Sequence, residues 1–563
     1  MTPATAGEQQ MRTHAKRKTP LITLVLFLLG TGAGATSAQG GHAGESIYRD
    51  GVLPSGAQLS GVREGNASIS GSDAACVSCH RRSGLGSTEG RITIPPVTGP
   101  YLFRAAEQRI DDQEVPYVGT SRVAHQAYND ETLARAIRAG VGADGRPLSY
   151  LMPRYDLDDA SMAELIAYLK QLTPRHVPGV TDAVLHFATI VTPDADPARR
   201  AGTLAVLEKY FLDKNAAARA IAPRLYATRP MHFRVNRRWQ LHVWELSGAP
   251  QTWEEQLRKR LAAEPVFAVI SGVGGATWEP VHRFCEEQGL PCLFPNIDAP
   301  PGSDGDFYSL YFSRQVLLEA QLIREQLGHR DAGPPRVVQV FRSGDVGERA
   351  AGELRAAGTQ SGATFENRVL RSAGGAQELR QAVSQLRDTD VLVLWLRPKD
   401  LSLLPAAPPR TSLVWMSGVM GGLEGAPLPV AWRAVTRMTY PFDLPDRRRV
   451  RVDYAMGWFR IRQIPVSALQ VQADTYLACG LLSETLNHMV DTFERDYLIE
   501  RIEQDLDHRV LTGYYPRLTL AAGQRFASKG GYVVRFSEPQ GPKLATVSEW
   551  LTPDAGRLSA SAR

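Results

Sequence analysis

Apolar positions change their rhythm twice along the chain, and each change marks a boundary. Near the start, Leu21 to Leu29 is a short unbroken apolar run. Further on, apolar residues at 162, 165, 166, 169 and 172 have the spacing of one helix face. Asp158 or Asp159 can cap that helix. Beyond Thr173–Gly179 (TPRHVPG), a plausible linker, strand-like and helix-like patterns alternate. Val184–Val191, Val266–Ile270, Pro291–Phe294, Arg336–Phe341, Asp390–Leu396 and Ser412–Met416 read as strands. Arg199–Leu212, Trp253–Ala262, Thr277–Gln288, Gly347–Ala356, Ala376–Leu386 and Ala473–Leu486 read as helices. Strands alternating with helices predict parallel sheets covered on both faces. So many units predict two Rossmann-like lobes rather than one sheet.

At 563 residues the chain is long enough for two or three domains. Its net charge is +5, and Arg12, Lys16, Arg17 and Lys18 against Glu8 account for +3 of it, leaving +2 for the remainder. Such balance argues against a nucleic-acid binder, and Arg447-Arg448-Arg449 reads as a solvated loop. The basic stretch, the apolar run and the small residues up to Ala38 read as a secretory signal cut after Ala38. Met11 can serve as the start, and an uncleaved anchor fits the same pattern. The run is short for a membrane span, and no other segment is long and apolar enough. The expectation is a periplasmic protein with no stable membrane span after signal removal.

Cys76-Val77-Ser78-Cys79-His80 is the C-x-x-C-H pattern of c-type haem attachment. Two thiols separated by two residues reach the two vinyl groups on one porphyrin edge, and the next residue, His80, falls under the iron. A redox dithiol or half a zinc site would need further partners, which the sequence does not display. The expectation is one covalent haem c, with iron held by His80.

Residues 43–173 resemble the class I cytochromes c. The resemblance rests on the haem motif, on Gly44–Tyr48 as a short N-terminal helix, and on Leu151-Met152-Pro153 ahead of the last helix. It implies Met152 as the sixth ligand, with Met162 a core methionine and His125 and His176 as rivals. It also implies that the Pro100 carbonyl, in Thr98-Gly99-Pro100-Tyr101-Leu102, accepts the His80 imidazole N–H. The stretch between His80 and Pro100 is longer than in the smallest members, so Pro95 or Pro96 can take this role instead.

Residues 181–549 are similar to the type I periplasmic binding proteins, especially branched-chain-amino-acid receptors. The similarity rests on Phe267–Gly272 (FAVISG), Tyr311-Phe312-Ser313-Arg314 before a helix, and Val337–Gly347 (VVQVFRSGDVG). Ligands of open α/β sheets bind beyond the carboxyl ends of strands. That places Ser271, Gly272, Gly275 and Thr277 opposite Ser343 and Asp345, with Trp395 and Ser417 nearby. Backbone N–H groups of Ser271–Gly275 could hold a carboxylate, although glycines there can equally serve only the turn. Cys285 and Cys292 are candidates for a disulfide, with two buried thiols as the alternative, and Cys479 reads as a core residue. Glu254-Glu255 and Glu286-Glu287 read as solvated faces. No catalytic constellation stands out.

The architecture expected is therefore multidomain. A signal peptide (1–38) precedes an all-α cytochrome c domain (43–173), a linker (174–180), a two-lobed α/β domain (181–549) and a tail (550–563). The expected role is one-electron transfer with a periplasmic dehydrogenase or another cytochrome, by a carrier rather than a catalyst. The second domain would bind a small organic ligand or dock a partner. The alternatives are an uptake receptor of the ABC type or a redox or ligand sensor, with an accessory haem.

Overall fold

The computed structural model describes residues 40–553, apart from 90–91, 106–124, 173–176, 226–236, 304, 329–332, 359–361, 372–373, 490–491 and 539. The expected signal peptide, most of the tail, His176 and part of the linker lie outside the described residues.

The N-terminal domain runs from α1 (Gly40–Asp50) through β1 (Ser60–Arg63), β2 (Ala67–Ser70), α2 (Val77–His80), β3 (Ser87–Glu89), β4 (Ile92–Ile94), α3 (Gly99–Leu102), α4 (Asp130–Ala139) and β5 (Arg154–Tyr155) to α5 (Asp159–Gln171). Helices dominate, joined by a small antiparallel sheet of order β2-β1-β5 and the hairpin β3-β4. The Asp158 side chain accepts from the Ser161 N–H and starts α5, which satisfies one orphan donor of the first turn. The predicted stripe of α5 is buried at Met162, Leu165, Ile166 and Leu169. Helix α1 crosses α5 at Gly44. A Cβ there would lie 2.2 Å from the Glu164 carbonyl oxygen, so only glycine allows the approach.

The second domain opens with β6 (Val184–Val191), α6 (Pro197–Leu225), β7 (Arg238–Glu245), α7 (Trp253–Ala263), β8 (Ala268–Ile270), α8 (Glu279–Glu287), β9 (Cys292–Leu293) and β10 (Ser309–Ser313). The chain then crosses into a second lobe. There α9 (Val316–Gly328), β11 (Arg336–Arg342), α10 (Val346–Gly358), β12 (Thr364–Leu370) and α11 (Ala376–Ala382) are followed by β13 (Val391–Trp395), α12 (Pro398–Leu401), β14 (Leu413–Ser417), α13 (Gly418–Gly421), α14 (Val430–Val435) and β15 (Thr436–Tyr440). Helix α15 (Pro445–Ile461) leads back to α16 (Leu469–Met489), α17 (Arg495–Leu506) and β16 (Phe526–Ser528) of the first lobe. A last crossover enters β17 (Tyr532–Phe536) and β18 (Leu544–Thr546).

Among the described residues, the first lobe's sheet has the order β16-β10-β9-β8-β6-β7, with every pairing parallel. The second has the order β12-β11-β13-β14-β15-β17-β18, antiparallel only from β15 onwards. This is the two-lobed α/β architecture that the alternating pattern predicts. Central strands such as β8 and β13 are buried at every position, because helices cover both faces. Each sheet order runs from an edge strand inward, and β7 and β12 are two of those edges. Their mixed polar and apolar residues form no continuous apolar run, so the sequence pattern does not mark them.

Two surface expectations are corrected. Arg447–Arg449 lies within α15 rather than in a loop. Arg448 is buried there, because its guanidinium pairs with Glu424 at 2.7 Å and packs over the Tyr514 ring. Glu286 is not simply solvated. Its carboxylate accepts from the backbone N–H groups of Phe307, Tyr308 and Ser309 at the start of β10.

Candidate functional site: the haem segment and the interlobe cleft

Helix α2 is a single turn. The Cys76 carbonyl accepts from the N–H groups of Cys79 and His80, so both thiols and the imidazole hang from one short coil. Cys76 and Cys79 are free and half-buried, and His80 is buried. Burial pushes the Cys76 thiol up to about 12, with Cys79 adding to the effect. Among the described residues, no cluster of three or more His, Cys, Asp or Glu side chains could hold a metal ion. Two neighbouring thiols with one adjacent imidazole are the donor set that covalent haem requires.

The imidazole is aimed by its second nitrogen. His80 Nδ1 lies 3.0 Å from the Pro95 carbonyl oxygen. As donor there, it leaves Nε2 unprotonated to face a metal. Burial lowers the imidazole pKa, against the opposing pull of that carbonyl, so the neutral ring is favoured. The expectation of Pro100 in this role is corrected. Pro100 sits in the first turn of α3, where its fixed φ suits a helix start. The β3-β4 hairpin takes up the extra length of the loop and delivers Pro95 instead. Gly86, at φ +76°, makes this possible, since a Cβ there would meet the Ile94 carbonyl oxygen at 2.1 Å. Met152 lies in a bend after a turn and is half-buried against the core cluster that also contacts Cys76 and Val77, whereas Met162 is fully inside that core. His125 places Nδ1 2.8 Å from the Gln126 carbonyl oxygen and packs its ring on Tyr101.

In the second domain the strand ends turn sharply. Ser271, Phe294 and Gln315, just beyond β8, β9 and β10, all have positive φ, an uncommon state for non-glycine residues. The residues expected to converge on a ligand are engaged with the chain itself. Ser271 Oγ donates to Thr475 Oγ1 at 3.1 Å and accepts from Asn296 Nδ2. Gly272 lies under the Trp278 indole, so this glycine serves packing. The glycine loop does hold a carboxylate, but it belongs to Asp194. Its Oδ2 accepts from the Ala276 N–H at 2.8 Å, and Gly275 N–H goes to Thr192 Oγ1. Thr277 is half-buried on the same loop. Ser343 N–H donates to the Leu370 carbonyl. Trp395 is buried with its indole N–H on Gln339, and Ser417 donates to Glu319. Of the residues expected at the ligand site, these are engaged with one another and with the chain, while Asp345 faces the cleft.

A different set closes the cleft. Asp345 pairs with Arg397 at 2.9 Å, Arg397 reaches across the lobes to Asp298 at 2.7 Å, and Asp298 pairs with Arg199 at 2.9 Å. Burial disfavours the ionised Asp298, but Arg199 and Arg397 outweigh it and hold the carboxyl down to about 2. Beside this ladder is a small cavity lined by Arg199, Asn296, Gln315, Gln470, Asp474 and Tyr515. Asp474 is buried there with Oδ1 unpartnered, and burial raises its pKa to about 7. Sequence reasoning missed Asp298 and Arg397. Both follow the C-terminal end of a parallel strand, and that position was the available signal.

Cys285 and Cys292 meet in the core between α8 and β9. Both are buried free thiols, and burial, with Cys292 adding to the effect, pushes the Cys285 thiol well up. Cys479 is buried on α16.

Residues 70–173 match the family model described as Cytochrome c, which implies a haem c in this domain and supports electron transfer by it. Solved structures similar to this chain include a possible leucine/isoleucine/valine-binding protein from Rhodopirellula baltica, with TM-score 0.47 and 12% identity over 65% of this chain and 97% of that one. A leucine-binding protein from Thermotoga maritima matches with TM-score 0.46 and 12% identity, over 66% of this chain and 99% of that one. A branched-chain amino acid ABC transporter protein from Thermus thermophilus with bound valine matches with TM-score 0.45 and 11% identity, over 66% and 97%. No curated protein matches the sequence. No helix among the described residues is long and apolar enough to cross a membrane.

Proposed function

We propose that this chain is an exported, periplasmic cytochrome with one covalent haem c, and that it transfers single electrons between a periplasmic dehydrogenase and another redox protein. Cys76 and Cys79 would form the two thioethers, His80 would be the proximal ligand and Met152 the sixth. The observation that carries this reading is one turn of helix bearing both thiols and an imidazole whose Nδ1 is already committed to Pro95. When bound, the haem supplies the ferric–ferrous couple. The chain's residues attach it, orient the proximal imidazole and surround it with apolar side chains. A methionine ligand raises the potential relative to a second histidine, which suits an acceptor.

The second domain would bind a small organic ligand or dock a partner at the interlobe cleft. Entry requires separation of Asp298 from Arg397, so the favoured ligand carries its own carboxylate to replace one side of that pair. Spectra of the purified holoprotein test the haem assignment. The ferric band near the red edge that marks sulfur ligation should vanish in Met152→Ala and persist in Met162→Ala. Persistence in both variants would remove Met152 from the iron, and acid-acetone extraction of the pigment would refute covalent attachment.

A further inference from the structure

The residue after His80 has a backbone that a side chain resists. Arg81 sits at φ 65° and ψ 169°, a region essentially reserved for glycine. Such a conformation persists only where the surroundings impose it. Its carbonyl accepts from the Tyr48 hydroxyl at 2.7 Å, and its N–H donates to the Val77 carbonyl at 3.0 Å. Its guanidinium meets Glu503 at 2.5 Å, and Glu503 belongs to the other domain.

The contact extends along the loop. Ser83 donates its N–H to Glu500 at 3.0 Å and its hydroxyl at 2.5 Å. Arg82 pairs with Asp496 at 3.2 Å and lies 4.6 Å over the Phe307 ring. Asp496, Glu500 and Glu503 recur at helical spacing, so one face of α17 receives three consecutive residues of the haem loop. Glu500 and Glu503 are 3% and 4% exposed. A buried carboxylate left without its partner is strongly unfavourable, so these contacts favour a docked arrangement over a tethered one. Glu503 also pairs with Arg525 at 2.6 Å, next to β16 and the last crossover between lobes.

We propose that Glu503 and Glu500 are positioning residues for the haem: from the binding-protein-like domain they hold Arg81 and Ser83, and through them His80, so the docked lobe sets the electron affinity of the haem. The proposal rests on the reading of His80 as the proximal ligand. The two domains would then act as one redox unit rather than as a haem on a flexible tether.

The test uses the full-length holoprotein, with midpoint potential by spectroelectrochemistry and amide hydrogen exchange of residues 81–86. Glu503→Gln should raise the potential by at least a threefold change in the reduction equilibrium and speed exchange in that segment. The haem should stay covalently attached. Glu503→Asp should recover part of both effects. Asp507→Asn, just past the end of the same helix and paired with Arg517, removes one charge without touching the loop and should leave both at the wild-type level. Should Glu503→Gln fail to fold, Ser83→Ala keeps the ion pair and should give a smaller shift in the same direction. Wild-type potential and exchange in the folded variants would overturn the proposal, as would an equal shift in Asp507→Asn. A chain purified without covalent haem would instead defeat the parent reading.

Discussion

His80 commits Nδ1 to the Pro95 carbonyl, which leaves Nε2 for the iron that we propose it binds, and small residues decide whether it can. Pro95 reaches Nδ1 only because the β3-β4 hairpin folds back past Gly86. Alanine at 86 would place a Cβ 2.1 Å from the Ile94 carbonyl oxygen in a backbone at φ +76°. Gly86→Ala should therefore destabilise the N-terminal domain by about 1–3 kcal/mol, read by urea denaturation. It should also perturb the visible spectrum of the holoprotein, since the proximal ring loses its anchor. An unchanged spectrum and midpoint would show that Pro95 is not what aims the imidazole. C-x-x-C-H was readable because the chemistry we propose for it, covalent haem attachment, needs only five neighbouring residues. Which proline accepts the N–H was not readable, because the path of the intervening loop decides it.

At the level of elements, close approaches and strand ends carry the argument. Helices α1 and α5 meet at Gly44, and Gly44→Ala should weaken that crossing at a cost comparable to other overpacked contacts, about 1–3 kcal/mol. A lowered thermal midpoint, with haem retained, is the expected result. Buried strands and the stripe of α5 were evident from hydrophobic period alone. Edge strands β7 and β12 were not, since exposed and partly buried positions are interspersed along them and break the run. The charged ladder at the cleft was also hidden. Asp345 and Arg397 come from two βα loops of the second lobe, Asp298 from the connection between β9 and β10 and Arg199 from the first turn of α6, and only the juxtaposition of two sheets makes them neighbours. Asp298→Asn should leave two guanidinium groups without their shared anion. The cost should fall below the about 3–5 kcal/mol of a fully buried pair, because Arg397 remains one-third exposed. An increased radius of gyration in small-angle scattering would report lobe opening, whereas an unchanged radius would show that other contacts hold the cleft shut.

Across the whole molecule, buried carboxyls make stability depend on pH in two opposite ways. Asp298 has a depressed pKa of about 2, so its contribution is present above the ordinary carboxylate range and is lost as pH falls towards 2. Glu319 and Glu500 are raised by burial to about 7. The folded state then binds more protons than the unfolded state between the ordinary range and 7, so their contribution fades as pH rises through that window. Each unit of displacement is worth about 1.4 kcal/mol. Wild-type protein should lose more stability between pH 5 and pH 8 than Glu319→Gln does, measured by urea midpoints. Equal slopes would mean that Glu319 is ionised throughout.

The amino-acid sequence by itself determined the C-x-x-C-H segment and the α/β character of the long C-terminal part of the chain, because each depends on residues close together in the chain. Tertiary structure alone decided that Pro95 aims His80, that Asp194 fills the glycine loop, that Asp298 joins the lobes and that α17 grips Arg81. Those contacts link residues tens to hundreds of positions apart, and no local spacing records which distant side chain a folded backbone will deliver.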